Sequence, residues 1–256
     1  MPSAISRNAR AGPITGSRAV TTARSKLTPT SERTREQLIL AGERLFAQGG
    51  LDNVSLRQIN NAAGQRNSSA AHYHFGSKEA LVQAIHEYRG GRVNERRHAM
   101  LAQMSAQDRA SVRPLIKAMV YPIVAEIEET EGGGNFIIFL SQLYSNPSLD
   151  LIRMWRSHLS ESVGEIYQDL RGVLPEIPEE IAGMRFGLMW VAMINTLADR
   201  QRLMAVREGE PAVSRSLPIL FVSNVVDMLC GAAAAPVSAE TEAEVRELRS
   251  AVKQTA

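Results

Sequence analysis

The chain has 256 residues, of which 44% are hydrophobic, 22% charged and 5% aromatic, and its formal net charge is +2. This apolar content suffices for one or two compact cores and is too high for a disordered chain. The strongest uncharged apolar run, Phe186–Leu197, is shorter than the ~20 residues that span a bilayer, so we expect no membrane-spanning architecture. A single cysteine, Cys230, excludes an internal disulfide and a cysteine-based zinc site and favours a reducing, cytoplasmic location.

The basic residues are unevenly distributed along the chain. Residues 1–30 hold five of the 29 basic residues and no acidic residue, so 24 basic residues face 27 acidic ones in the remainder. The segment is rich in Ser, Thr, Arg and Ala, without apolar periodicity or a signal-peptide core. It therefore predicts a disordered basic arm that would be attracted to phosphate backbones. A solvated tail without function and a mitochondrial transit peptide are the alternatives.

The first predicted helix covers about 33–48. Apolar residues recur at i, i+3, i+4, i+7 and i+8 from Leu38 onward, which places them on one face of a helix. Thr34 and Gln37 have the spacing of a capping box, which sets the predicted start of the helix.

Two shorter helices are predicted directly after it. Ser55 is a candidate N-cap for a helix over 56–63, and Gly64 interrupts that helix. A third helix is predicted over 67–74, and Ser77 is the candidate N-cap of a longer fourth one. Short helices joined by a tight glycine turn have the geometry of a helix-turn-helix.

The rest of the chain, 91–232, also shows helical periodicity, with Gly132–Gly134 as a flexible break and no alternating strand pattern. The segments 186–197 and 217–229 are apolar on nearly every side. A helix that is apolar all round must be covered all round, so we expect these two to form a four-helix interface in a homodimer. Burial of both within a monomer is the alternative. Residues 233–256 are expected to form a flexible C-terminal tail, with a frayed helix as the alternative.

The predicted third helix and its approach carry short polar side chains and few bulky ones. Such residues let a backbone come close to a DNA groove while their amides and hydroxyls contact base edges. Tyr73 adds a rigid hydroxyl, and Lys78 lies in the first turn of the next helix, where backbone N–H groups near Gly76 and Ser77 could bind a phosphate. The candidate DNA-contacting residues here are Gln65, Arg66, Asn67, Ser68, Ser69, His72, Tyr73 and Lys78.

Four segments in this order, 34–50, 54–59, Ala63-Gly64 and 73–81, closely resemble the N-terminal domain of TetR-type transcriptional regulators. The resemblance covers about 31–90. It implies an all-α chain with a three-helix DNA-binding domain over 31–90 and a helical ligand-binding and dimerisation domain over 91–232.

The resemblance also implies roles for single residues. Arg57 on the second helix would reach a base edge or a phosphate, and Tyr73 and Lys78 match positions that clamp phosphates. His72 would lie on the exposed side of the recognition helix. Eight residues separate Gly64 from Tyr73 where the family usually has seven, and Gln65 stands where a buried valine is usual, so Gln65 is expected to point outward toward DNA.

The C-terminal region contains large, adaptable side chains that commonly line small-molecule pockets. The same residue types also fill ordinary helical cores, so both interpretations stay open. The candidate pocket residues are Phe136, Phe139, Tyr144, Trp155, Met189, Trp190 and Met193.

No catalytic signature, metal site or cofactor motif is expected. Glu95 and His98 have the spacing of a carboxylate-bridged iron motif, but the sequence contains one copy where two are needed.

Taken together, the sequence predicts a repressor that binds a partly palindromic double-stranded DNA operator as a homodimer and is released by a small-molecule effector. A helical small-molecule-binding protein without DNA-binding activity is the alternative, a helical-bundle enzyme is a weaker one, and activation is not distinguished from repression.

Overall fold

The computed structural model describes residues 28–67, 69–145, 161–206 and 217–255, and these residues contain helices and no strand. The predicted all-α class is confirmed. Most of the predicted basic arm, together with Ser68 and Trp155, lies outside the described residues. The helices are α1 (Pro29–Gly49), α2 (Leu56–Ala62), α3 (Ala70–Phe75), α4 (Lys78–Gln103), α5 (Ala106–Arg109), α6 (Val112–Glu129), α7 (Gly133–Ser145), α8 (Glu161–Val173), α9 (Glu179–Val206), α10 (Leu217–Ala234) and α11 (Ala239–Thr255).

Helix α1 begins earlier than the sequence predicts. Thr28 is its N-cap and accepts a hydrogen bond from the Ser31 N–H at 3.3 Å, and Pro29 occupies the first helical position. Proline suits this position because the N–H it lacks would have no helical partner there. The predicted capping box of Thr34 and Gln37 is therefore wrong, since both residues lie inside the helix.

The first three helices, α1 to α3, form a head that shares one hydrophobic core with the rest of the chain, the body. Phe46 of α1 packs against Phe139 of α7, with 6.2 Å between the ring centroids. The side-chain amide of Gln142 on α7 donates to the carbonyl oxygen of Ala47 at 3.0 Å. The predicted boundary at residue 90 falls within α4, which is continuous from the head into the body.

A buried ion-pair network joins α1, α4 and α6. Arg89 on α4 donates to both carboxylate oxygens of Glu43 on α1 at 2.8 Å, and to Glu126 on α6 at 3.0 Å. The three side chains are at most 1% exposed. Buried charges are tolerated only when they are paired and hydrogen-bonded, so this network fixes how the three helices approach one another.

The turn between α6 and α7 completes the network. Arg89 also donates to the carbonyl oxygen of Glu131, and Gly132 follows with φ of +78°, a conformation that favours glycine. A Cβ on Gly133 would overlap the carbonyl oxygen of Glu126. The expected flexible break at these glycines is therefore wrong: they form a tight turn that brings the two helices into close contact.

Helix α9 contains a stretch, Glu179–Met204, that is long and apolar enough to cross a membrane by length and composition, with a mean hydropathy of 1.4. Met193 and Ile194, near its middle, are fully buried in the main core. The uncharged apolar run 186–197 thus covers only the middle of α9, which packs against α7 and α10.

The predicted flexible tail is wrong for residues 239–255, which form α11. Val245 packs in a small separate core with Ile177 and Ile181. Arg249 donates to both carboxylate oxygens of Glu180 at 2.8 Å, and these hydrogen bonds lower the pKa of Glu180 to about 2. The C-terminal helix is thus attached to the start of α9.

We expect Arg89→Met to lower the free energy of unfolding by about 3–5 kcal/mol, because it leaves Glu43 buried without its bonded cation and Glu126 with only the longer ion pair to Arg92. Urea denaturation followed by circular dichroism measures the change. Arg246→Met is the control, since Arg246 and Glu242 form an exposed pair whose loss should cost at most about 0.5 kcal/mol. Equal, small losses in both variants would contradict a structural role for the network.

Candidate nucleic-acid interface

Helix α2 is capped as predicted. The Ser55 hydroxyl accepts from the Gln58 N–H at 3.3 Å, and the Gln58 side chain accepts from the Ser55 N–H at 2.8 Å. This reciprocal capping box occupies the Ser55 side chain, which confirms its structural role. Arg57, the second residue of α2, is exposed at the same end of the helix.

Asn60 is a buried residue that sequence reasoning missed. Its side-chain oxygen accepts a hydrogen bond of 2.8 Å from the Ala71 N–H in the first turn of α3, and the residue is 1% exposed. Ser69, the N-cap of α3, makes no side-chain capping bond, so Asn60 on α2 satisfies this N–H of α3 instead. A polar residue at an inward position of a short helix was the available signal.

Helix α3 starts three residues later than predicted. Gly64 turns the chain with φ of +66°, and the Asn67 side-chain oxygen accepts from the Ser69 N–H at 2.9 Å. Asparagine in such a turn competes with helix formation, so the longer connection does not extend the helix. The predicted start at Asn67 is wrong: Arg66 and Asn67 lie before α3, and both are exposed.

Helix α3 has one inner and one outer face. Ala70 and Ala71 are buried against the core, whereas Ser69, His72 and Tyr73 are exposed. These three positions follow the spacing i, i+3 and i+4 and therefore share one side of the helix. Tyr73 is 79% exposed and projects an aromatic ring and a hydroxyl away from the protein.

Gln65 differs from its prediction. Its side-chain N–H donates to the Gln37 side chain of α1 and to the carbonyl oxygen of Ala63, both at 3.1 Å, and the residue is half-buried. The expectation of an outward amide available to DNA is wrong, because α1 and the turn already hold it.

The N-terminus of α4 is more fully occupied than the sequence suggests. The Ser77 hydroxyl accepts from the Ala80 N–H at 3.1 Å, as expected for an N-cap. The pKa of Glu79 lies below its ordinary value, because its carboxylate accepts hydrogen bonds from its own N–H and from Ser77. The predicted phosphate site at this terminus thus already contains a carboxylate of the chain.

Lys78 is also held by the protein. Its ammonium donates to the carbonyl oxygen of Asp52 at 3.3 Å and lies 5.9 Å from the Phe46 ring centroid. The side chain is half-buried, so its charge lies beside the turn that connects α1 and α2. A phosphate contact by Lys78 would compete with these interactions.

His74, near the end of α3, is half-buried. Partial burial, followed by the positive charge of Arg35, lowers the pKa of His74 and so favours the neutral imidazole. The Arg35 guanidinium in turn lies 5.2 Å from the Phe75 ring centroid. These contacts hold the end of α3 against α1.

The predicted pocket residues lie in or near the core of the body. Phe136, Phe139 and Met193 are buried, as are Met189 and Trp190. A small cavity lies between α8, α9 and the end of α10, and of the described candidates only Met189 lines it. The assignment of the others to a ligand pocket stays a prediction. Among the described residues, no group of three or more His, Cys, Asp or Glu side chains is placed to hold a metal ion.

We expect Asn60→Ala to destabilise α3, because the buried Ala71 N–H loses its acceptor at a cost of about 1–3 kcal/mol. Hydrogen–deuterium exchange of the α3 amides should accelerate, and chemical denaturation should show the loss. Asn61→Ala is the matched control, since Asn61 is exposed and the Gly64 N–H bonds to its backbone carbonyl. Identical exchange in the two variants would show that the Asn60 side chain does not stabilise α3.

Comparisons with known proteins agree with this geometry. The profile of bacterial regulatory proteins of the tetR family matches residues 38–85, and that of the tetracyclin repressor-like C-terminal domain matches residues 117–220. No protein with a curated function matches significantly.

Two solved structures share the fold. One, from Shewanella sp. PV-4, is assigned to the tetR family of transcription regulators and is 15% identical, with a TM-score of 0.53 over 78% of this chain and 97% of its own. The other, a TetR-like transcriptional regulator from Rhodococcus sp. RHA1, is 18% identical, with a TM-score of 0.50 over 78% and 93%. With both family profiles matched in order along one helical fold, the chain belongs to the TetR family of DNA-binding transcriptional regulators.

Proposed function

We propose that this regulator is a cytoplasmic homodimeric repressor that binds a partly palindromic operator and releases it when a small molecule binds the body. The observation that carries the proposal is the outer face of α3. It presents Ser69, His72 and Tyr73 together, on a helix whose inner side is fixed to the core by small residues.

This face suits a major groove. Ala70 and Ala71 allow α3 to sit close to α1 and α2, and Asn60 fixes its first turn. A helix of six residues is only about 9 Å long, so each α3 would read only a few base pairs. Ser69 and His72 would contact base edges, while Tyr73 and the exposed Arg57 and Arg66 would contact the backbone.

A short reading helix favours a dimer, because two copies double the number of contacted base pairs.

Helices α9 and α10 form an antiparallel pair that could serve as the dimer interface. Arg185 of α9 donates to the Ala233 carbonyl of α10 at 3.3 Å, and Arg200 of α9 lies 5.4 Å from the Phe221 ring centroid of α10.

Apolar side chains remain exposed along this helix pair. A soluble monomer rarely exposes so many on adjacent helices, and a second copy of the same pair would cover them in a four-helix interface. The exposed residues are Met184, Leu188, Leu203, Ile219, Leu220 and Met228.

Effector control is supported by the connection between head and body. Arg89 ties α1 to α4 and α6, so a ligand that shifts α4 or α6 would also move the head. Release then requires only that the effector binds more tightly to a dimer whose two α3 helices no longer fit one duplex.

Selection from a random duplex library should yield a partly palindromic sequence, and two sets of variants should affect its binding differently. Arg66→Met should weaken binding to every sequence and reduce the salt slope by about one, because it removes one phosphate contact. Ser69→Ala and His72→Ala should instead change preference at individual base pairs, by about 1–3 kcal/mol each.

Arg246→Met on α11 is the control for charge removal and should leave both properties unchanged. Wild-type protein that selects no sequence at moderate salt would overturn the regulator proposal. If His72→Ala weakened binding equally on all sequences, this would overturn the proposal that His72 contacts base edges.

We expect Leu188→Arg to convert the dimer to a monomer, because it places a charge in the proposed apolar interface, where Leu188 is 71% exposed in the single chain. Light scattering coupled to size exclusion measures the mass, and affinity for the full palindrome should fall to that for a half-site. Leu248→Arg on α11, also exposed, should stay dimeric. A dimeric Leu188→Arg variant would place the interface elsewhere.

A further inference from the structure

Helix α4 carries a second buried arginine whose surroundings differ from those of Arg89. Arg97, about two turns further along α4, is 3% exposed. Its Nη2 atom is buried and has no hydrogen-bond partner. Arg89 is neutralised by two carboxylates, whereas Arg97 lacks this compensation among the described residues.

The groups around Arg97 are neutral. Its Nε donates to the carbonyl oxygen of Ala118 on α6 at 3.3 Å, and its guanidinium carbon lies 5.8 Å from the Trp190 ring centroid on α9. The Tyr144 hydroxyl accepts a hydrogen bond from the Trp190 side chain, and burial raises the pKa of Tyr144. A carbonyl oxygen and two aromatic side chains thus partly solvate this cation, and within the described part of the chain no anion balances it.

The electrostatic consequence is a destabilised cation. Burial lowers the pKa of Arg97 to about 10, and the one interaction that opposes this effect comes from Tyr144. The guanidinium therefore remains charged at neutral pH. A buried charge without a counter-ion is costly, and an apolar residue of similar volume would usually be more stable at such a position. The charge of Arg97 is therefore open to neutralisation by a group beyond the described residues, such as a bound anion.

Polar and apolar groups that could hold the rest of a ligand lie on the same helices. Asn94, one turn before Arg97 on α4, accepts a hydrogen bond from the buried Ser162 hydroxyl. Phe186 and Met189, within one turn of Trp190 on α9, line a small cavity between α8, α9 and the end of α10.

We propose that Arg97 is the recognition group for the carboxylate of a small organic acid, whose apolar part is held between α4, α8 and α9. A carboxylate matches the planar guanidinium and its single charge. This inference rests on the proposed effector-controlled function, since it names the chemical class of the effector.

The test compares octanoate with its neutral analogue octanamide on the full-length protein, without DNA, by calorimetric titration. Octanoate should bind the wild type about 10- to 100-fold more tightly than octanamide, as expected for a hydrogen bond to a charged group. Arg97→Met should abolish this preference. Arg96→Met, which removes a partly exposed charge on the adjacent residue that pairs with Glu129, should keep it.

A second measurement needs no ligand. Because Arg97 is unneutralised, Arg97→Met should leave the melting temperature of the unliganded protein unchanged or raise it, in contrast to Arg89→Met. A strongly destabilised Arg97→Met variant would show that Arg97 is structural and would overturn the proposal. Equal binding of octanoate and octanamide, or no binding of octanoate to the wild type, would overturn it as well.

These outcomes are distinct from failure of the proposed function. Ligand binding is measured on the free protein, so it does not depend on operator recognition. If octanoate binds through Arg97 but leaves the protein–DNA complex intact, the carboxylate site stands and the release mechanism fails. If the wild type selects no operator, the regulator proposal fails while the carboxylate preference is still measured.

Discussion

The Arg89 network constrains the position of the DNA-binding head more than any other interaction in the described structure. The body contributes to the burial of α1, since Phe46 of α1 packs against Phe139 of the body. Apolar packing alone would tolerate small sliding motions between helices. A bidentate arginine–carboxylate pair does not, because its hydrogen bonds require fixed distances and directions. With Glu43 and Glu126 bound to one guanidinium, α1, α4 and α6 can change their relation only by moving together or by exposing buried charges.

The two buried arginines of α4 show how one residue type can have opposite effects in one helix. Arg89 is surrounded by acceptors: two carboxylates and the carbonyl oxygen of Glu131, which the Gly132 turn brings within 2.8 Å. Arg97 has one carbonyl oxygen and aromatic neighbours. The two arginines are buried to a similar extent, so they differ in how their charges are compensated. The surroundings of Arg89 stabilise a fixed geometry. Those of Arg97 leave a positive charge in the body that no described residue compensates.

The parts of the fold that the sequence predicted are those set by local chemistry. Ser55 and Ser77 cap helices through residues three positions away, and Gly64 provides a turn by itself. Features that join distant residues were missed: the bond from Ala71 to Asn60, and the pairing of Glu43 with Arg89 across 46 positions. The start of α3 was misplaced because Asn67, which as a residue type can cap a helix, uses its side chain to stabilise the turn before α3 instead. The tail was misassigned because the contact between Arg249 and Glu180 depends on the fold of the body.

The geometry of α4 suggests how the two proposed sites would communicate. Lys78 at its first turn adjoins the DNA-binding face, Arg89 lies in its middle, and Arg97 lies in the body. If the Arg89 network acts as a fixed point, Arg97 is about 12 Å from it on one side and Lys78 about 17 Å on the other. A rigid helix that tilts about this point moves its two ends in opposite directions, and the longer arm moves further. A ligand that draws Arg97 toward α8 and α9 would therefore displace the start of α4, and with it α3, by a somewhat larger distance. Because two heads must fit one duplex, such a displacement in each protomer would add across the dimer and weaken operator binding.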